Sequence, residues 1–137
     1  KEKSNYNYNA RRWYIDIETT AFDKIDVESV KEELVLIQIF DSVLNTMIIL
    51  GSREWIGKSK YSYDFDVKYI NCQDEIKLFE TFFSLISKLQ PLIVLGWNTT
   101  GFDYPFLYNR ASKLGFDTNK FSPYNKSKIN KIINSKY

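Results

Sequence analysis

The sequence predicts an α/β domain in which a mixed sheet is flanked by helices. Two kinds of pattern support this prediction. Four short runs are β-rich: residues 13–18, 34–40, 46–50 and 92–95. Two longer stretches carry apolar residues at helical spacing: residues 74–89 and 105–114. At 137 residues with 44% hydrophobic content, the chain has the size of one domain with a single core.

The first predicted strand is the motif WYIDIE, which begins at Trp13. Successive side chains of a strand point to opposite faces, so Asp16 and Glu18 share one face. The other face carries the apolar Trp13, Ile15 and Ile17. We therefore expect a strand with one buried face and one acidic face.

Two further strands and a weaker one are predicted before the first helix. The runs LVLIQIF at 34–40 and TMIIL at 46–50 are separated by residues 41–45, which have the length and composition of a hairpin loop. Together with the first strand they predict three adjacent antiparallel strands. Residues 65–70 are expected to form a short edge strand.

The first predicted helix covers residues 74–89, and a strand follows it directly. Apolar residues recur at helical spacing from Ile76 to Leu89, and Asp74 and Glu75 lie near the positive end of the helix. The next run, LIVL at 92–95, is continuously apolar, which is typical of a strand buried on both faces. We therefore expect this strand to lie centrally in the sheet.

The second predicted helix spans about residues 105–114. Pro105 stands where a helix can begin and Gly115 where one can end. The order is then three strands, helix, strand, helix. This order fits the opening half of a ribonuclease H-like fold, a mixed sheet flanked by helices that is incomplete at its C-terminus.

Composition excludes several function classes. The chain has no histidine, which removes Ser-His-Asp and Cys-His nucleophile systems and every histidine general base. Hydrolysis would have to use carboxylates, tyrosine, lysine or metal-bound water. Residues 104–137 hold seven Lys and Arg against Asp117 alone, which indicates either phosphate contacts or a merely solvated basic terminus.

Hydropathy predicts a cytoplasmic protein without a membrane partner. No apolar run approaches the roughly 18 residues of a membrane helix, and the opening residues 1–12 are polar rather than a signal peptide. If the source is a virus, we expect the host cytoplasm.

Three acidic residues form the candidate site. An Asp-x-Glu pair alone is a weak signal, but Asp16 and Glu18 share one side of a strand, where they repel each other unless a cation lies between them. Mg²⁺ or Mn²⁺ would satisfy that requirement. Asp103 lies just after the predicted buried strand, and strand ends are common site positions in α/β sheets. If that strand runs parallel to the first, Asp103 approaches Asp16 and Glu18.

The motifs DIET at 16–19 and GWNTTGFDYPFLYNR at 96–110 resemble the first two exonuclease motifs of family B DNA polymerases, most of all the replicative polymerases of large tailed phages. The resemblance extends to the helix before the second motif and to FSP at 121–123. It implies a 3′→5′ proofreading exonuclease. Asp16, Glu18 and Asp103 would be its catalytic residues and metal ligands, in a two-metal hydrolysis by Mg²⁺ or Mn²⁺.

The resemblance also implies contacts with the single-stranded 3′ end of DNA. Asn98 and Phe102 match family positions that help to hold this end, by an amide and a stacking ring. Phe22, in the loop after the first motif, is a further candidate for contact with a base. A purely structural role for Phe102 in the core has equal weight.

The third family motif, a Tyr-x-x-x-Asp helix, has no counterpart in this sequence. We therefore expect residues 1–137 to be a partial exonuclease domain, with a polar segment at 1–12 and a basic segment at 116–137. Such a chain would hydrolyse DNA poorly or not at all by itself. Its expected partner is a second polypeptide that carries the rest of the polymerase.

Two other hypotheses stay open. One is a non-catalytic nucleic-acid-binding or interaction module with a degenerate ribonuclease H-like fold, and the other is an unrelated ribonuclease H-like nuclease. A split polymerase predicts a neighbouring reading frame that begins with the Tyr-x-x-x-Asp helix. A lone module predicts no such neighbour.

Overall fold

The computed structural model describes residues 9–21, 23–57 and 60–128, and within them five strands form one mixed sheet. The strands are β1 (Arg12–Thr19), β2 (Leu34–Asp41), β3 (Thr46–Gly51), β4 (Asp66–Asn71) and β5 (Ile93–Leu95). Their order across the sheet is β4-β3-β2-β1-β5. The strands β1, β2 and β3 are antiparallel neighbours, as predicted, whereas β4 runs parallel to β3 and β5 parallel to β1.

The described residues also form two α-helices, and both agree with the predicted ones. They are α1 (Glu75–Leu89) and α2 (Tyr104–Lys113). Asp74 caps α1 by accepting a hydrogen bond from the Lys77 backbone N–H at 2.8 Å. Gly115, at a φ of 85°, follows α2 in the left-handed conformation that closes helices. Neither these helices nor any other in the described part of the chain is long and apolar enough to cross a membrane.

The helices cover one face of the sheet and build the core there. The largest fully buried side chains come from the sheet, from both helices and from the loop before β2: Trp13, Val30, Leu34, Ile37, Ile39, Leu50, Leu78, Phe79, Phe82, Ile86, Phe106 and Leu107. Residues of β1 alternate strictly between buried and exposed up to Glu18, which confirms the predicted acidic outer face. The element order and the mixed sheet confirm the predicted α/β, ribonuclease H-like architecture.

The position of β5 corrects one prediction. We expected residues 92–95 to form a central strand buried on both faces, but β5 is an edge strand of the described sheet. Ile93 and Leu95 are 43% and 39% exposed, while Val94 packs against the core. An apolar run indicates that a segment can be buried. It does not indicate whether the strand has a neighbour on one side or on both, because its neighbours are strands distant in sequence.

Candidate active site

The acidic strand end is distorted where Asp16 and Glu18 lie. Both residues are exposed on the face of β1 opposite the helices. Glu18 pairs with Leu36, but Thr19 pairs with Leu34, so the register with β2 shifts by one residue between Glu18 and Thr19. Such bulges bend a strand and are frequent beside active sites, where they re-aim a side chain. The extra residue here is Val35 of β2, so the pairing of β1 with β2 is irregular directly after the acidic pair.

The short strand β5 leaves the other edge of β1 open beyond Tyr14. It pairs with β1 only at Arg12, Trp13 and Tyr14, and then turns away at Gly96. A Cβ at Gly96 would lie 2.7 Å from the Ile15 carbonyl oxygen, so only glycine allows this close approach. The chain that follows Gly96 thus passes directly against the acidic end of β1.

Asp103 uses that open edge to reach β1. Its carboxylate lies beside the backbone N–H of Ile17, the residue between Asp16 and Glu18, and the residue is nearly inaccessible to solvent. Burial raises the pKa of Asp103 above its ordinary value, and the negative charge of Asp16 raises it further. Asp103 therefore lies near enough to Asp16 for their charges to interact, and the strands that lead to the two residues are parallel.

A π-helical turn delivers Asp103 to this position. The turn spans Thr99–Asp103 and precedes α2, and the Asn98 carbonyl accepts hydrogen bonds from the backbone N–H groups of Gly101 and Phe102 at 3.0 and 2.8 Å. A Cβ at Gly101 would lie 2.5 Å from the Asn98 side-chain oxygen. π-helical turns are rare and are often found at functional sites. Here the turn ends on the residue that contacts β1.

The predicted DNA-contacting residues occupy different environments. Asn98 is exposed at the start of the π-helical turn. Phe102 is half-buried, with its ring centroid 6.1 Å from that of Phe106, so it packs on the core and still presents some of its surface. Phe22 lies outside the described residues. A role for any of the three in DNA contact stays a prediction.

Trp97 was missed by the sequence analysis. Its side chain is fully exposed, at 103% of the reference value, and it lies between Gly96 and Asn98. A large aromatic ring that is fully exposed is costly in water and often marks a binding surface. Trp97 could have been predicted from its position in the sequence, since it follows the strand that leads to Asp103.

The donor set fits a divalent cation in part. Carboxylate oxygens are the ligands that Mg²⁺ and Mn²⁺ prefer, and a cation would relieve the repulsion between Asp16 and Asp103. However, among the residues that the structure describes, no three His, Cys, Asp or Glu side chains form a group that could hold a metal ion. The roles of Asp16, Glu18 and Asp103 as metal ligands therefore stay predictions.

The mixed five-stranded sheet with its helices fits the fold of a ribonuclease H-like exonuclease domain. The family model for the exonuclease domain of DNA polymerase family B matches residues 1–137, and the chain belongs to this family. The predicted family resemblance is thereby confirmed. Exonuclease domains of this family generally use divalent metal ions.

Full-length polymerases are among the relatives of the chain. The DNA polymerase epsilon catalytic subunits A of Emericella nidulans and Aspergillus fumigatus are each 31% identical over an alignment of 113 residues that covers 77% of this chain. The DNA polymerase of Pyramimonas orientalis virus is 39% identical over 49 residues, or 36% of this chain and 4% of its own length. The chain spans about 5% of the length of the fungal relatives.

The raised pKa of Asp103 predicts a pH-dependent stability in the absence of divalent ions. The folded chain keeps the Asp103 proton to a higher pH than the unfolded chain, whose carboxyl ionises near its ordinary pKa of 3.8. The stability contributed by the protonated form is therefore present at low pH and is lost as pH rises through the folded-state pKa. Asp103→Asn removes this loss and keeps an oxygen that can accept from Ile17.

The measurement is the melting temperature of both proteins in EDTA, from about pH 4 to about pH 7. We expect the wild type to lose stability relative to Asp103→Asn as pH rises. Parallel pH profiles for the two proteins would contradict the burial of an ionisable carboxyl beside Asp16.

Proposed function

We propose that the chain is the 3′→5′ proofreading exonuclease module of a DNA polymerase and that it acts on the single-stranded 3′ end of DNA. The contact of Asp103 with β1 beside Asp16 is the observation that carries this proposal. Two carboxylates are thereby held together, at the cost of burial and of mutual repulsion. Membership in the exonuclease-domain family supports the same proposed function.

In the proposed mechanism, Asp16, Glu18 and Asp103 hold two Mg²⁺ or Mn²⁺ ions. When bound, such ions supply an activated water and stabilise the leaving oxygen of the phosphodiester. Burial of Asp103 beside the backbone N–H of Ile17 limits the orientations that its carboxylate can take. No histidine is needed in this chemistry, which agrees with the composition of the chain.

The turn between β5 and α2 is the proposed binding surface for the DNA end. Trp97 offers a free ring on which an unpaired base can stack, and Asn98 offers an amide beside it. Phe102, half-exposed next to Asp103, and Phe22 complete the proposed contacts.

Replacing Trp97 by alanine should weaken binding of a single strand without unfolding the protein. Stacking of a base on an aromatic ring contributes about 1–3 kcal/mol, so we expect a loss of affinity of roughly tenfold. Fluorescence anisotropy with a short thymidine oligonucleotide measures it. Trp55→Ala is the matched control, because Trp55 is half-exposed and contacts Tyr69, on β4. Equal losses in both variants would contradict a specific role for Trp97.

We further propose that the chain alone hydrolyses DNA poorly and needs a second polypeptide that carries the rest of the polymerase. The lack of a three-carboxylate group in the described residues supports this. A non-catalytic nucleic-acid-binding module is the second candidate, and the same observation favours it. The partial-domain organisation and the cytoplasmic location stay predictions.

The polarity of degradation tests the proposed function. The chain, combined with the polypeptide that completes the polymerase, should remove nucleotides from the 3′ end of a single strand in the presence of Mg²⁺. A 3′-labelled strand should lose its label at once, whereas a 5′-labelled strand should shorten progressively. Binding of the strand without any cleavage by the combined proteins would favour the non-catalytic module instead.

A further inference from the structure

Three neighbouring side chains of α2 hold the backbone of the loop that follows the acidic strand. Asn109 donates to the Val27 carbonyl at 2.7 Å, Arg110 to the Val30 carbonyl at 3.0 Å, and the Lys113 ammonium to the carbonyls of Ser29 and Val30 at 3.1 and 3.3 Å. We call Asn109, Arg110 and Lys113 the α2 clamp, and residues 23–33 the return loop. Every acceptor is a main-chain oxygen, so the clamp fixes the path of the loop.

The clamp is anchored to the rest of the fold through Arg110. Its guanidinium makes a two-point contact with Glu75 of α1, with N–O distances of 2.8 and 2.7 Å, and only 12% and 9% of the two side chains are exposed. Glu75 also accepts the backbone N–H of Leu34, the first residue of β2, at 2.7 Å. One ion pair therefore connects α1, α2, β2 and the return loop.

The loop depends on this support because its own conformation is unfavourable. Val30 is buried with a φ of 38°, in the left-handed region that a β-branched residue rarely adopts. Its carbonyl is the one that both Arg110 and Lys113 hold. Strained residues persist where the surroundings fix them, and they are frequent at functional sites.

The C-terminal end of the return loop is hydrogen-bonded to Thr20, directly after the acidic end of β1. The Thr20 backbone N–H donates to the Glu33 carbonyl at 2.9 Å, and the Glu33 backbone N–H donates to the Thr20 hydroxyl at 3.1 Å. Asp103 ends the π-helical turn directly before α2, and Arg110 follows it by seven residues, within α2. The turn thus contacts β1 through Asp103, and the helix that follows it contacts the loop through Arg110.

We propose that the α2 clamp is a positioning device, which sets the return loop beside the Asp16–Asp103 pair so that the loop orients the single-stranded DNA end. This inference rests on the proposed function of the site. The clamp residues act through the loop and not on the metal ions. Loosening the clamp should therefore weaken DNA binding and leave the affinity for Mn²⁺ unchanged.

The test uses the full chain with the substitutions Asn109→Ala and Arg110→Lys, singly and together. Neither changes the net charge, so phosphate attraction is preserved. We expect hydrogen exchange in residues 23–33 to accelerate and the affinity for a short thymidine oligonucleotide to fall by about tenfold. Arg53→Lys is the matched control, because Arg53 is exposed and outside the clamp.

The outcomes separate this inference from the proposed function. A faster-exchanging loop with unchanged oligonucleotide affinity would overturn the positioning role and leave the proposed function standing. A wild-type chain that binds neither Mn²⁺ nor the oligonucleotide would overturn both. If Arg110→Lys fails to fold, Asn109→Ala decides the matter, since it leaves the ion pair with Glu75 intact.

Discussion

Replacing Asp103 by asparagine should reduce 3′→5′ degradation by the complete polymerase by about a thousandfold. A ligand that holds a catalytic metal contributes several kcal/mol to the transition state, and about 4 kcal/mol corresponds to a factor of about a thousand in rate. Asparagine keeps the shape of the side chain and an oxygen that can accept from Ile17, so the fold should survive. The rate of label release from a 3′-labelled strand with Mg²⁺ measures the effect.

The same assay provides its own controls. Asp16→Asn should cause a comparable loss, and the double variant should lose little more than either single variant, because the two carboxylates act as a unit. Asp64→Asn is the matched surface control, since Asp64 is exposed before β4. Full activity in Asp103→Asn would refute the assignment of this residue as catalytic.

Replacing Asp41 by alanine should destabilise the fold by about 3–5 kcal/mol. Asp41 is completely buried at the end of β2. It accepts a hydrogen bond from the Trp13 indole N–H at 2.7 Å and from the backbone N–H groups of Val43 and Leu44, both at 2.9 Å. The Arg11 Nε lies 3.3 Å from the carboxylate. Alanine would leave the buried Trp13 indole N–H without this acceptor, and it would remove the acceptor of the loop amides and the ion-pair partner of Arg11.

Urea denaturation of the chain measures this loss, and the melting temperature should fall by more than about 10 °C. Asp66→Ala is the control, because Asp66 is exposed at the start of β4 and its removal should change stability by less than about 0.5 kcal/mol. A loss of less than about 1 kcal/mol for Asp41→Ala would contradict the central role of this carboxylate in joining β1 to the β2–β3 hairpin.

The strands β1 to β3 and both helices could be predicted because their signals are local. Alternation in WYIDIE sets the two faces of β1, and the periodicity from Ile76 to Leu89 sets the buried face of α1. The proximity of Asp16 and Asp103 was also predictable, once parallel pairing of their strands was assumed. That pairing is present between β1 and β5.

The remaining features depend on contacts between residues distant in sequence. Glu75 was expected only as an acid near the helix start, whereas it is held in an ion pair by Arg110, 35 positions away. The bulge after Glu18 and the π-helical turn before Asp103 have no periodicity that marks them. The exposed edge position of β5 is set by the strand order of the whole sheet.

The central claim is that Asp16 and Asp103 share a divalent ion, and its most direct test is an NMR titration with Mn²⁺. Binding is monitored by the paramagnetic broadening of backbone amide signals. If Asp16 and Asp103 jointly hold a divalent ion, the amides of Asp16, Ile17 and Asp103 should broaden first, and Mg²⁺ should compete. The double variant Asp16→Asn, Asp103→Asn should abolish the effect. Unselective broadening across the surface, or unchanged broadening in the double variant, would show that the two carboxylates share no ion.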